Sequence, residues 1–203
     1  MKIKKALKTD IGLLVLITFT LLSCREVNIP RPRGFFRIDL PSKKYTAFND
    51  TLDRERLPLT FEYPVYGKIS FNEDKSADPG WFNIDFPAYK ARIYLTYKNI
   101  KGNLAGLIEQ TYTMNVKNHI AKADAINEQP IENRADRVFG TLYDLKGNTA
   151  TAVQFYVTDS IRHYLRGSLY FEAEPNADSL APVIDFFRTD IVHLIGSLKW
   201  KDK

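Results

Sequence analysis

RVFGTLYDLKGNTATAVQFYVTDSIRHYLRGSLYF, residues 137–171, decides the fold. Its aromatic and β-branched residues are those that suit a pleated, half-buried surface. Residues 137–145 and 150–158 are predicted strands, separated by Lys146-Gly147-Asn148, a hairpin signal. After Asp159-Ser160, residues 162–171 set His163, Leu165, Gly167, Leu169 and Phe171 against Tyr164, Arg166, Ser168 and Tyr170. That two-residue period belongs to a strand with two different faces. Three consecutive strands joined by short turns form an antiparallel meander.

Upstream, residues 36–40, 59–63, 68–71, 81–86 and 92–97 show the same period. Phe82, Ile84 and Phe86 share one face, as do Ile93, Leu95 and Tyr97. Residues 42–58 are polar and are expected to run over the surface, and 72–80 to form a loop. From Asn103, a suitable N-cap, the period changes. Leu104, Leu107, Ile108, Tyr112, Val116 and Ile120 recur at three- and four-residue steps, predicting an amphipathic helix to about residue 120. Downstream of the meander, Asp178 or Ser179 is expected to cap a second helix. Its stripe is Leu180, Val183, Ile184, Phe187, Ile191, Leu194, Ile195 and Leu198, with Pro182 in the first turn. The fold class is α+β, a largely antiparallel sheet packed with two main helices. The element order resembles the sheet-and-helix sandwich of the PsbP/Mog1 proteins.

The N-terminus has a different character. Lys2, Lys4, Lys5 and Lys8 precede about a dozen mostly apolar residues, 11–22, too few to span a bilayer and suited to a secretory signal. Leu21-Leu22-Ser23-Cys24 resembles the lipobox of bacterial lipoproteins. That likeness implies cleavage between Ser23 and Cys24 and acylation of Cys24, the one cysteine in 203 residues. Two or three acyl chains, at about 0.8 kcal/mol per buried methylene, anchor a protein stably. The expected organisation is a signal over 1–23, a lipidated tether over 24–33 with Pro30 and Pro32, and one domain over 34–203. The whole chain is formally +5, but residues 1–23 carry four lysines and one aspartate, so residues 24–203 are only +2. Nothing in that balance calls for nucleic acid.

No catalytic, metal or cofactor signature stands out. His119, His163 and His193 lack the spacing of a helical metal site. Asp159, Ser160 and His163 are close in sequence, yet a triad is recognised by geometry, and the GxSxG elbow is missing. A turn capped by Asp159 is the favoured reading. Gly140, Gly147 and Gly167 are too scattered for a phosphate loop. The acidic pairs Glu172 with Glu174 and Asp85 with Asp39 read as solvated sheet residues. Aromatics make up 13% of the chain, and Trp81, Tyr89, Tyr97, Tyr164 and Tyr170 are the candidate interface residues.

PRPRGFFRIDLP (30–41), FEYP (61–64), WFNIDFPAYKARIYLTYK (81–98), HIAKADAI (119–126), LYDLKGNTAT (142–151), TDSIRHYLRGSLYF (158–171) and PNADSLAPVI (175–184) follow in order. Together they resemble the gliding motility lipoprotein GldD family of Bacteroidetes. The resemblance implies a non-enzymatic envelope lipoprotein needed for gliding and type IX secretion, with no cofactor and no catalytic residue to carry over. It implies attachment to the inner or outer membrane through acyl chains, such as palmitate, on Cys24, and partners among other gliding and secretion envelope proteins. Arg25-Glu26-Val27-Asn28 lacks the acidic run of surface-exposed lipoproteins, so a periplasm-facing domain is expected. Asp50-Thr51-Leu52, Asp159-Ser160-Ile161 and Asp178-Ser179-Leu180 fit the short O-glycosylation pattern of such bacteria. A small-ligand or glycan binding module is the alternative function.

Overall fold

The computed structural model describes residues 38–48, 57–71, 80–173 and 176–201. Cys24, the signal and tether, Asp50-Thr51-Leu52 and the 72–79 loop lie outside them. Eleven strands and two helices appear among the described residues: β1 (Tyr45–Ala47), β2 (Leu59–Thr60), β3 (Glu62–Pro64), β4 (Lys68–Phe71), β5 (Trp81–Phe86), β6 (Ala91–Asn99), α1 (Leu104–Tyr112), β7 (Ala125–Asn133), β8 (Val138–Lys146), β9 (Thr151–Thr158), β10 (His163–Phe171), α2 (Ala177–Ser197) and β11 (Lys199–Trp200). They belong to the α+β class, in a compact unit spanning Arg37–Lys203.

Seven strands make one antiparallel sheet in the order β4-β5-β6-β10-β9-β8-β7. Two meanders meet at its centre, where β6 pairs with β10. The chain leaves β6 near the middle and re-enters as β7 at the far edge. That connection must cross about four strand spacings, roughly 19 Å. Residues 100–124 do so as α1, a π-helical turn (Thr113–Lys117) and further turns. Topology alone therefore puts α1 over the β10-β9-β8 half of one face.

The opposite face is the main core. Phe82, Ile84, Phe86, Ile93, Leu95, Leu165, Leu169, Phe155 and Val157 pack there with Phe187, Ile191 and Leu194 of α2, each at most 1% exposed. Gly167 is required by this packing, because a Cβ there would meet the Phe155 ring at 2.2 Å. Two small sheets lie at the C-terminal half of α2. β11 pairs with β2, and β1 pairs with β3. The Asp190 carboxylate, 1% exposed, accepts from Lys43 Nζ (2.7 Å), Tyr45 OH (3.0 Å) and Tyr66 OH (2.6 Å). Burial pulls the Lys43 ammonium down against the opposing pull of Asp190, and burial with Asp190 pushes Tyr45 up to about 12.

Several expectations are corrected. Residues 38–40 form no strand, and Ile38 is 43% exposed. Residues 42–58 are no simple surface run: they contain β1, and Phe48 and Leu57 are buried. Phe48 stacks on Phe61 at 4.9 Å between centroids, so a long-range aromatic contact overrides the local polarity. The expected strand 59–63 is two strands, because each half pairs with a different partner. The first helix stops regular winding at Tyr112; Asn103 holds its N-cap position, but its side chain makes no capping bond, and its Oδ1 accepts from Lys101 N at 2.9 Å instead. Tyr112 and Ile120, expected on its apolar stripe, are exposed. Asn176 caps α2 by accepting from Ser179 N, and Pro182 sits in its second turn, beyond the first-turn place expected of it. β7 and β11 were not expected. AINEQPIEN lacks alternation and holds Pro130, which only an edge strand tolerates.

Candidate docking face

The strand period dictates which side chains the second face carries. Cross-strand register aligns Ser70, Asn83, Tyr94, Ser168, Gln154 and Tyr143 in one row, and Trp81, Thr96, Arg166, Tyr156 and Thr141 in the next. Where α1 and the π-helical turn cover this face, Tyr143, Gln154 and Tyr164 are buried. Tyr143, Leu145 and Val116 form a small second core, with Ile126 and Tyr156 against it. The β4-β5-β6 half has no such cover among the described residues. It is an open groove of about 710 Å³, lined by Ser70, Trp81, Asn83, Asp85, Arg92 and Tyr94 among others.

Its polar side chains are already organised. Asp85 accepts from Ser70 Oγ at 2.5 Å and from Arg92 Nε, and Asn83 Nδ2 reaches Ser70 Oγ at 3.4 Å. The hydrogen bond to Asp85 raises the Arg92 guanidinium further above its ordinary value, against the effect of burial. Arg92 lies 5.4 Å from the Tyr94 ring centroid, and Tyr94 meets Tyr170 edge-on at 5.5 Å. Trp81 and Tyr94 remain 47% and 45% exposed. Two rigid aromatic surfaces thus flank a fixed carboxylate–guanidinium pair, the mixture of Trp, Tyr and Arg that dominates binding energy at interfaces.

Of the five interface residues expected from sequence, Trp81 and the half-buried Tyr170 lie on this face. Tyr97 (5% exposed) and Tyr164 (3%) are interior and are corrected. Tyr97 follows Ile93 and Leu95 onto the α2 face, where its hydroxyl hydrogen-bonds Asn99 Oδ1 (2.7 Å) and His163 Nδ1 (2.8 Å). Tyr164 lies under α1, 2.5 Å from Thr111 Oγ1 and stacked on Tyr156. Burial pushes both phenols up to about 12. Tyr89 packs among Tyr66, Phe186 and Phe187 beside the main core, away from the groove. Tyr94 was missed, although alternation from Ile93 and Leu95 puts it opposite the core.

Asp159, Ser160 and His163 form a turn. The Asp159 carboxylate accepts from the backbone N–H groups of Ile161 (2.9 Å), Arg162 (2.8 Å) and His163 (2.8 Å). Burial would raise its pKa, but those three donors hold it below the usual carboxylate value. Ser160 is exposed at the hairpin tip with φ of 69°, its N–H bonded to Thr158 Oγ1. The His163 ring stacks on Trp200 on the α2 face. His193 meets Glu62 at 2.7 Å and stacks on Tyr45, while His119 lies in the turn after the π-helical segment. Asp85 is paired with Arg92, and Glu174 lies outside the described residues. Among the described residues no group of three His, Cys, Asp or Glu is placed to hold a metal, and no helix is long and apolar enough to cross a membrane.

These features define an α+β sandwich domain with one sheet face closed by a helix and half of the other left open. The chain belongs to the gliding motility lipoprotein GldD family, whose model matches residues 25–200. It is accordingly a gliding-motility lipoprotein of the cell envelope, anchored by lipid. A solved structure similar to it is the solution structure of cyanobacterial PsbP from Synechocystis sp. PCC 6803, at 14% identity and a TM-score of 0.47, covering 88% of this chain and 97% of that one. No curated relative matches the chain.

Proposed function

We propose that the chain is a non-enzymatic assembly subunit, held to a membrane by acyl chains such as palmitate on Cys24, with its domain facing the periplasm. In this reading residues 1–23 are a signal peptide cut before Cys24, and residues 34–203 form one domain on a short tether. It docks other envelope proteins of the gliding and type IX secretion machinery. The observation that carries the reading is the open β4-β5-β6 face, where Trp81 and Tyr94 flank the Asp85–Arg92 pair. Such a surface offers large contact area at low entropy cost, while the prepaired charges fix register.

Deleting the gene and assaying spreading and type IX export tests it. Both are expected to fail, and intact export with intact motility contradicts the reading. Cys24→Ala is expected to lose acyl labelling and release a folded domain from membranes; labelling that persists contradicts the anchor. The volume and mixed lining of the groove also favour a second reading, a small-ligand or glycan module. Saturable glycan binding that Trp81→Ala abolishes, with partner capture unchanged, would select it.

A further inference from the structure

Beneath the π-helical turn lies a cluster that the docking face does not include. Arg166 projects from β10 toward the turn, and its Nη2 donates to Asn115 Oδ1 at 3.3 Å and to Gln154 Oε1 at 3.1 Å. Ser168 Oγ donates to the same Gln154 oxygen at 3.2 Å. Asn115 and Gln154 are both 0% exposed. Since their oxygens already serve Arg166, the amide nitrogens Asn115 Nδ2 and Gln154 Nε2 are left without an acceptor. So is Arg166 Nε.

Three buried donors on three elements lack acceptors, and one belongs to a cation. Three other part-buried cations are neutralised: Lys43 by Asp190, Arg92 by Asp85 and Arg188 by Asp144. Arg166 has no carboxylate at ion-pair distance among the described residues; its two recorded side-chain partners are neutral amides. The field it leaves is felt nearby. Burial, then Arg166 and Lys122, pull the His119 imidazole below its ordinary value. The π-helical turn brings Asn115 and Val116, neighbours in sequence, both to the sheet, and such turns are frequent at functional sites.

We propose that Arg166, Asn115 and Gln154 form a binding site for an oxyanion, the carboxylate or phosphate of a small ligand, seated under the π-helical turn. One water accepts about two hydrogen bonds and brings no charge, whereas a carboxylate offers about four acceptor positions and the missing counter-charge. Entry is from the groove side, because Arg166 stays partly exposed and is the cross-strand neighbour of Thr96, which lines the groove.

The test uses the full chain in detergent, labelled with ¹⁵N and titrated with inorganic phosphate or sodium acetate against sodium chloride at equal ionic strength. The Arg166 Nε–H signal and the Asn115 and Gln154 side-chain amides are expected to shift saturably with one or both oxyanions. Acetate alone points to a carboxylate ligand, phosphate alone to a phosphate. Gln154→Glu, nearly isosteric, puts a carboxylate inside the cluster and is expected to bind about tenfold or more weakly. Arg166→Gln should abolish the response; if it does not fold, Gln154→Glu still decides. Shifts that match chloride, or equal affinity in Gln154→Glu, overturn the proposal.

Discussion

On the face that meets α2, the seven-stranded sheet presents Phe82, Ile84, Phe86, Ile93, Leu95, Leu165 and Leu169, all at most 1% exposed. One residue further along the same strands, the other face presents Asn83, Asp85, Arg92, Tyr94, Arg166, Ser168 and Tyr170. The first set holds the fold together by removing apolar area from water. The second contributes little to that core and keeps its chemistry available. Strand alternation makes the division possible, and the crossover through α1 makes it unequal, shielding one half of the polar face and leaving the other open.

The comparison breaks most visibly on the closed face. Phe187→Ala removes a fully buried ring that packs on Phe86 at 4.5 Å. It is expected to cost about 3–5 kcal/mol in a urea unfolding curve, the usual loss for a core phenylalanine. Asp190→Ala removes the acceptor shared by Lys43, Tyr45 and Tyr66. About 2–3 kcal/mol is expected, because Lys43 is part-exposed and can turn to water.

A smaller effect tests the β9–β10 turn. The folded Asp159 carboxylate sits below its unfolded value of about 3.9, so its contribution is complete above that pH and is lost as pH falls through the lower folded value. Asp159→Asn should therefore cost about 1 kcal/mol at neutral pH. Its deficit should shrink as both proteins are taken to acid, read from thermal midpoints across the series. A deficit that stays constant from neutral to strong acid would remove the charge from the account. The smallest stability change belongs to the open face. Trp81→Ala with Tyr94→Ala should shift unfolding by only about 0.5 kcal/mol, as exposed substitutions do.

Much of this architecture was legible from residue spacing. The β5, β6 and β8 to β10 strands and α2 show clean periods because each has one face in a core. β7 is an edge strand with little to bury, so its period was silent. β1, β2 and β11 owe their existence to partners far along the chain, which local pattern does not carry. The π-helical turn was hidden because Val116 continues the helical stripe while the backbone changes pitch. At the candidate site, Trp81 and Tyr170 were named from sequence, and Tyr94 was readable from its neighbours. Asn115, Gln154 and Arg166 come from three separate elements, so only the assembled sheet brings them together.

The central claim is that the open face does the docking while the closed face only holds the fold. Its most direct test replaces the chromosomal gene with the Trp81→Ala, Tyr94→Ala double variant and measures colony spreading beside the amount of membrane-bound protein. The account predicts lost spreading at normal protein level. Normal spreading by the double variant at that level would contradict it.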